Sequence, residues 1–144
     1  MRGEVIFLSR NIKILGDDVD SWGGHFLTGD TVDFNGGKMK TRIGSTYMDW
    51  VELRNLSQIN SERAALRWEY AYEGKSEITN CALHNGYGWA MKIENSRNIL
   101  IKGNNIYNFR PIGIMISNVK DVTVDGNVVA HITKRGSLDP SIDV

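Results

Sequence analysis

Apolar and polar residues alternate along much of the chain between residues 48 and 132. Segments 99–101, 112–116 and 122–124 each place an apolar side chain at every second position. This period of two is typical of β-strands, because successive side chains of a strand point to opposite faces. Many of these segments end at Gly or Asn, residues that readily adopt turn conformations. The pattern predicts many short strands and no helix.

The strand pattern also recurs at a nearly fixed distance. Segment 95–109, "NSRNILIKGNNIYNF", aligns with segment 118–132, "NVKDVTVDGNVVAHI", at a constant shift of 23 residues. Stepping back from Ile101 by the same distance reaches Ile78, and a further step of 25 residues reaches Leu53. The same interpretation gives "SRNI" at 9–12 and its repeat at 96–99 the same place in the repeating unit.

A repeat of 23–25 residues, built from short strands without a helix, is too short for the common helical repeats. It predicts an all-β fold, a right-handed parallel β-helix that forms a three-sided solenoid of about six coils. Residues 1–47 are expected to form an N-terminal strand and Gly/Asp-rich loops, residues 48–133 the β-helix repeats, and residues 134–144 a polar tail that leads out of the module.

Stacking such coils brings equivalent side chains together in columns. Ile78, Ile101 and Val124 are expected to form one inward column; Leu66, Met91 and Ile114 a second; and Trp68, Ile93 and Ile116 a third. Two asparagine ladders are predicted, in which side-chain amides bond from coil to coil. They comprise Asn95 with Asn118 and Asn104 with Asn127. Cys81 aligns with the second ladder and is expected to be a small buried residue.

Charge and composition exclude several function classes. The chain has 17 basic and 17 acidic residues, and this balance argues against a nucleic-acid partner. No apolar run is long enough to span a bilayer, so direct membrane insertion is not expected. The single Cys81 excludes an internal disulfide and a cysteine-based zinc cluster. No cofactor is expected, and Asp17, Asp18 and Asp20 are interpreted as a solvated turn rather than a calcium site.

Aromatic side chains provide the candidate contact residues. Trp50, Tyr70 and Tyr107, together with Tyr87, are expected to form a strip on the outside of the solenoid where sugars could stack. Trp68 and Trp89 fall on inward columns and are predicted to be core residues.

Polar candidates have simpler interpretations. His84 has outward register and His131 lies one coil and one position beyond it; both are expected to be surface polar residues. Asn55 begins an N-glycosylation sequon, Asn55-Leu56-Ser57, and is a candidate attachment site.

Several stretches resemble a family of cell-surface proteins that includes fibrocystin, its fibrocystin-like relative and the transmembrane hyaluronidase. They are "MRGEVIFLSRNIKILGD", the "WGGHF" loop, "DWVELRNLSQ", "ITNCALHNGYGWAMKIENSRNILIKGNNIYNF" and "VTVDGNVVAHI". The resemblance implies the end of a glycine-rich domain followed by β-helix repeats, within a large extracellular or membrane-anchored protein. Where the hyaluronidase-type members carry a histidine-rich strand, this chain has "RAALRWEYAY" at 63–72, without histidine.

These observations favour a non-catalytic structural or adhesive module of a large cell-surface or ciliary ectodomain. No catalytic residue is assigned. The expected partners are the rest of the parent polypeptide and extracellular proteins or glycans. The alternatives are a polysaccharide-processing, hyaluronidase-like β-helix and a module that binds glycans without cleaving them.

Overall fold

The computed structural model describes residues 8–17 and 22–133 of the 144-residue chain. These residues form fifteen β-strands and no helix. The strands are β1 (Ile12–Leu15), β2 (Phe26–Thr28), β3 (Thr31–Asn35), β4 (Lys38–Arg42), β5 (Tyr47–Asp49), β6 (Val51–Arg54), β7 (Leu66–Glu69), β8 (Ser76–Thr79), β9 (Ala82–His84), β10 (Met91–Glu94), β11 (Arg97–Lys102), β12 (Asn105–Phe109), β13 (Ile114–Ser117), β14 (Lys120–Asp125) and β15 (Val128–Ile132).

Thirteen of these strands form three parallel sheets that run along the molecule. The strand orders are β1-β6-β9-β12-β15, β2-β7-β10-β13 and β5-β8-β11-β14. Consecutive strands such as β7, β8 and β9 belong to three different sheets, so the chain makes one turn of a three-sided solenoid with every three strands. The predicted all-β solenoid is therefore confirmed. The described residues contain four coils preceded by β1, fewer than the six or so expected.

The inward columns hold the core together. Ile101 lies between Ile78 and Val124 in adjacent strands, and Met91 pairs with Leu66. The inward side chains of the middle coils, such as Ile78, Met91 and Ile101, are fully enclosed, whereas Val124 in the last described coil is 43% exposed. The predicted register is thus confirmed for the three columns that contain Ile101, Met91 and Ile93. Trp68 is buried as predicted, but Trp89 is only half-buried and lies outside the core.

The predicted pairing of Leu53 with Ile78 is wrong. Leu53 pairs with Leu83, and Met48 takes the place beside Ile78. The cause is the connection between β6 and β7, residues 55–65, which is longer than the turns of later coils. A long connection shifts the spacing between equivalent positions while leaving the alternation within each strand intact.

The two "SRNI" phrases also occupy different places. Ile12 pairs with Val51 in the five-stranded sheet, whereas Ile99 pairs with Ser76 in a different sheet. A strand with isoleucine at every second position can join any of the three sheets, because each sheet needs apolar side chains at its alternate, inward positions. The repeated "SRNI" sequence therefore indicates a strand at each place, but it does not determine which sheet that strand joins.

Asn104 connects three consecutive coils from inside the molecule. Its side-chain oxygen accepts a hydrogen bond from the Cys81 backbone N–H at 2.8 Å, and its amide nitrogen donates to the Ile78 carbonyl at 2.8 Å and to Asn127 Oδ1 at 2.9 Å. Asn127 repeats the pattern by donating to the Ile101 carbonyl at 2.8 Å. Asn104 is fully buried, so these bonds are made without competition from water.

Further asparagines bond along the surface. Asn118 Nδ2 donates to Asn95 Oδ1 at 2.6 Å, as predicted, and Asn108 Nδ2 donates to Asn85 Oδ1 at 3.0 Å, a pair that the sequence interpretation missed. All four residues have a positive φ, the left-handed conformation that asparagine tolerates. The asparagines thus both form the turns and tie adjacent coils together.

Residues 31–42 interrupt the regular coil. β3 and β4 form an antiparallel hairpin between β2 and β5. The sequence predicted only Gly/Asp-rich loops with short strands in this region. The two residues at the tip, Gly36 and Gly37, both have a positive φ, as a tight two-residue hairpin turn requires. β1 and β2, also within the first 47 residues, pair with strands of the solenoid.

Candidate functional site

A group of charged side chains lies on the outer face of the five-stranded sheet. Glu52 Oε1 is 3.2 Å from His84 Nε2, and Glu52 Oε2 is 3.3 Å from Lys13 Nζ. The backbone N–H of Arg10 also donates to Glu52 Oε2 at 3.1 Å. Although Glu52 and His84 have outward register, both are buried. The prediction that His84 is a surface residue is therefore wrong.

The Glu52 carboxyl group is held in its ionised form. Burial acts to raise its pKa, but the Arg10 N–H, Lys13 and His84 together bring the pKa below its ordinary value. A carboxylate in this state accepts hydrogen bonds and ion pairs. It lacks the raised pKa expected of a general acid.

Trp50 borders this group at the corner between β5 and β6. Its indole is 57% exposed, and the Arg10 guanidinium lies 5.0 Å from the ring centroid. Arg10 Nε also donates to the Asn80 carbonyl at 2.8 Å, so the guanidinium is held in place beside the ring. Trp50 has a φ of 55°, which is unusual for a bulky residue. The result is an exposed aromatic surface with a fixed orientation.

Tyr107 lies on the same sheet on the other side of His84. It pairs with His84 in the next strand, and its ring stacks on that of His131 at 5.4 Å between centroids. Trp50, the Glu52–His84 pair and the Tyr107–His131 stack therefore follow one another along one outer surface, which we call the polar face. Its flat rings and fixed charged groups are the chemistry expected for contacts with polar ligands.

Tyr70 does not belong to the polar face. It lies at the corner after β7, where its ring is 6.3 Å from that of Tyr72. The Tyr87 hydroxyl is 3.5 Å from the Asp17 carbonyl in yet another part of the solenoid surface. The four aromatic residues expected to form one strip are therefore spread over several sides, and only Trp50 and Tyr107 border the same charged group.

The Asn55 sequon is folded into the molecule. Asn55 is 9% exposed and Ser57 is completely buried. Ser57 Oγ accepts a hydrogen bond from the Gly88 N–H at 2.7 Å. An attached glycan needs a surface position, so the expectation of glycosylation at Asn55 is not supported by this fold.

Outward carboxylates elsewhere are paired with basic side chains. Arg67 and Glu69 form an ion pair at 2.7 Å, Glu73 pairs with Arg97 at 3.1 Å, and Asp125 pairs with Lys102 at 3.3 Å. Acid–base cleavage of a glycoside would need two nearby carboxyl groups, such as Glu69 with Glu73 or Asp121 with Asp125. Three of these four carboxylates are bound to cations.

Metal-binding groups are not found in the described part of the chain, where no three His, Cys, Asp or Glu side chains lie close enough to hold an ion. Asp18 and Asp20 lie outside the described residues, as do residues 1–7 and the expected tail at 134–144. Cys81 is buried as predicted, and burial raises the pKa of its thiol. The described residues include no apolar helix of membrane-spanning length.

The polar face could be recognised only in part from the sequence. Trp50 and Tyr107 were candidates because they are outward aromatics, whereas Glu52 and Arg10 were not. Alternation correctly gives Glu52 an outward direction, but it does not reveal that Arg10 and Lys13, forty residues away, cover it. The one available signal was an acidic residue in a strand otherwise made of Val, Leu and Arg.

Comparison with known proteins supports the fold and gives no individual relative. No curated protein and no solved structure matches the chain. A family model described as a right-handed beta helix region matches residues 31–138. This range includes the whole of the β3–β4 hairpin and every described strand from β5 to β15. The match agrees with the stacked parallel sheets and indicates that the solenoid is right-handed. On this evidence the chain belongs to the right-handed β-helix family.

Proposed function

We propose that this chain is a non-catalytic structural module of a larger extracellular or cell-surface protein. A β-helix of this kind suits a structural or glycan-related role. The cell-surface context rests on the resemblance to the fibrocystin and hyaluronidase-type proteins, and it remains part of the proposal.

The observation that carries the proposal is the state of the carboxyl groups. Each acidic residue of the described chain whose pKa departs from its ordinary value has that pKa lowered: Asp30, Asp49, Glu52 and Glu62. Acid–base cleavage of a glycoside needs one carboxyl group with a raised pKa that faces a second across the substrate. Ionised carboxylates bound to cations or N–H groups stabilise the solenoid surface and are poor proton donors.

A glycan-binding role is the second candidate, and it is favoured by the polar face. Trp50 offers an exposed ring that Arg10 holds in place, and the Tyr107–His131 stack offers a second ring surface. Sugars bind proteins through stacking on aromatic rings combined with hydrogen bonds to charged groups. This role is compatible with a structural module, since it requires no bond to be broken.

Incubation with labelled polysaccharides tests the non-catalytic proposal. The full chain is incubated with hyaluronan, with chondroitin and with polygalacturonate, each with and without calcium. We expect no shortening of any polymer. Depolymerisation that is lost in Glu52→Gln or Glu69→Gln, while Lys102→Gln remains active, would reject the non-catalytic proposal.

Retention on immobilised polysaccharide tests the second candidate separately. We expect Trp50→Ala and Tyr107→Ala to reduce retention if the polar face binds glycans, whereas Tyr70→Ala, on a different corner, serves as the control. Equal retention of all three variants would argue against a glycan site on the polar face and leave the structural role in place.

A further inference from the structure

The β3–β4 hairpin has an apolar face that the described chain does not cover. Phe34 pairs with Met39 and Val32 pairs with Thr41 across the hairpin, so these four side chains share one face. Phe34 is 78% exposed, Met39 69% and Val32 49%. A two-stranded ribbon with an uncovered apolar face is only marginally stable in water by itself, so this face is suited to contact with another surface.

The opposite face of the hairpin is charged and mainly basic. It carries Asp33, Lys38, Lys40 and Arg42, three cations against one anion, in a chain whose net charge is zero. Asp33 is bound to Arg42, and Lys38 and Lys40 are further exposed cations that lie outside this ion pair. Apolar and basic side chains therefore separate onto two faces of one short element.

The base of the hairpin is anchored firmly to the solenoid. Asp30 Oδ1 accepts a hydrogen bond from the Gly44 N–H at 2.9 Å, which closes the base of the hairpin. Asp30 Oδ2 accepts from the N–H groups of Tyr72 and Glu73, at 2.8 and 2.9 Å, in the next coil. The anchored base holds the tip away from the solenoid, so Phe34 and Met39 project together.

We propose that the β3–β4 hairpin docks on the surface of an anionic phospholipid bilayer. Phe34, Met39 and Val32 would enter the boundary between headgroups and acyl chains, with Lys38 and Lys40 at the level of the phosphates. An amphipathic element with apolar residues on one face and lysines on the other has the chemistry for this position. Docking at this depth requires no segment that spans the membrane.

The size of the apolar face favours a bilayer over a protein partner. A stable protein interface buries about 800 Å² on each partner and needs a matching shape. Three apolar side chains on a twelve-residue hairpin fall short of that requirement. A bilayer has no fixed shape to match. It binds a small apolar tip by burying its side chains, and it attracts the neighbouring cations through anionic headgroups. This inference does not depend on the proposed structural or glycan-binding role.

Co-sedimentation of the full chain with vesicles tests the proposal. The vesicles contain phosphatidylcholine alone or phosphatidylcholine with about one quarter phosphatidylserine. We expect binding to the mixed vesicles and weaker binding to phosphatidylcholine. Phe34→Ser and Met39→Ser should each weaken binding to both vesicles by about tenfold. Lys38→Gln and Lys40→Gln should each weaken binding to the mixed vesicles alone, by about fivefold.

Two further variants make the result specific. Tyr47→Ser removes an aromatic ring that is 62% exposed on the solenoid itself, and it should bind vesicles like the unaltered chain. Phe34→Trp should bind as well, and its tryptophan emission should shift to the blue with vesicles and be quenched by lipids brominated in the acyl chain. The blue shift and quenching of Phe34→Trp report binding directly and do not rely on a variant that loses binding. Circular dichroism of each variant checks that it is folded.

The proposal is overturned if the unaltered chain does not bind the mixed vesicles, or if Phe34→Ser binds them as strongly as the unaltered chain. It is also overturned if Tyr47→Ser loses as much binding as Phe34→Ser. Absence of vesicle binding together with a dimer that Phe34→Ser abolishes in sedimentation would assign the apolar face to a second copy of the chain.

Discussion

At the scale of single residues, Ile101 and Lys102 are neighbours in β11 with opposite surroundings. Ile101 is fully buried between Ile78 and Val124, whereas the Lys102 side chain is 59% exposed and lies 3.3 Å from Asp125. Two adjacent residues therefore give a direct test of the inward and outward directions assigned to this strand.

We expect Ile101→Asp to unfold the module and Lys102→Asp to have little effect. A buried carboxylate without a partner costs several kcal/mol, against a total stability of roughly 5–15 kcal/mol. Loss of an exposed ion pair costs at most about 1 kcal/mol. Thermal unfolding followed by circular dichroism measures both, and similar melting temperatures for the two variants would contradict the register of β11.

Asn104→Ala should destabilise the chain by about 2–5 kcal/mol, because it leaves the Cys81 N–H and the Ile78 carbonyl buried without partners. The matched control is Asn118→Gly, which removes an exposed amide bonded to Asn95, tolerates the positive φ of this position and should cost about 1 kcal/mol or less. Urea denaturation gives both values. Equal losses would mean that burial of the Asn104 ladder adds nothing to its strength.

At the scale of elements, strands were easier to predict than the connections between them. The strands from β7 to β15 are joined by turns of two to six residues, so a shift of 23 or 25 residues finds the correct partners for Ile101 and Leu66. The long connection at 55–65 and the hairpin at 31–42 break that spacing. Leu53 was therefore paired with the wrong strand, and the hairpin was expected to be a loop.

The polar face was less predictable than the strands for a different reason. Alternation reports the direction of a side chain, but burial also depends on residues from other coils. His84 points outward and is nevertheless buried, because Glu52 and its own partners lie over it. Contacts between distant parts of the chain leave no local pattern in the sequence.

Asp30 makes the attachment of the hairpin dependent on pH. Burial acts to raise the pKa of Asp30, but the N–H groups of Gly44, Glu73 and Tyr72 bring it below its ordinary value. A lowered pKa in the folded state means that the stabilisation is fully present above the ordinary pKa of aspartate. The stabilisation is lost as the pH falls through the lowered value.

We therefore expect the free energy of unfolding to fall on acidification and to fall less steeply in Asp30→Asn. At neutral pH this variant should be less stable than the unaltered chain, because the neutral amide is a weaker acceptor for three N–H groups. Urea denaturation over a series of acidic pH values measures both effects. Asp33→Asn, in the same hairpin, is the control, and an identical slope for Asp30→Asn and the unaltered chain would contradict the assignment.

At the scale of the whole molecule, the middle coils have neighbours on both sides. Ile93, Ile101 and Ile106 are fully buried, whereas Ile116, Val124 and Val129 in the last described coil are 43–45% exposed. In a solenoid each coil is stabilised mainly by contacts with the coils beside it, so local opening is easier in a coil whose inward side chains are more exposed.

Hydrogen exchange should therefore be slowest for amides in β10, β11 and β12 and faster in β13, β14 and β15. The difference should appear in the native protein without denaturant, measured residue by residue by nuclear magnetic resonance. Ile101 and Val124 are a suitable pair, since they occupy the same column in adjacent coils. Equal protection at these two amides would indicate that the solenoid opens only as a whole.

The constant shift of 23 residues also has a consequence for how such a chain can change in length. Removing residues 91–113 would join Ala90 to Ile114, which occupies the same column as Met91. Each remaining strand would find a partner with the same alternation, and the solenoid would become shorter by one strand spacing, about 4.8 Å. The length of the solenoid along its axis therefore changes in steps of one coil. Duplication or loss of a single coil would lengthen or shorten it without altering the remaining strands.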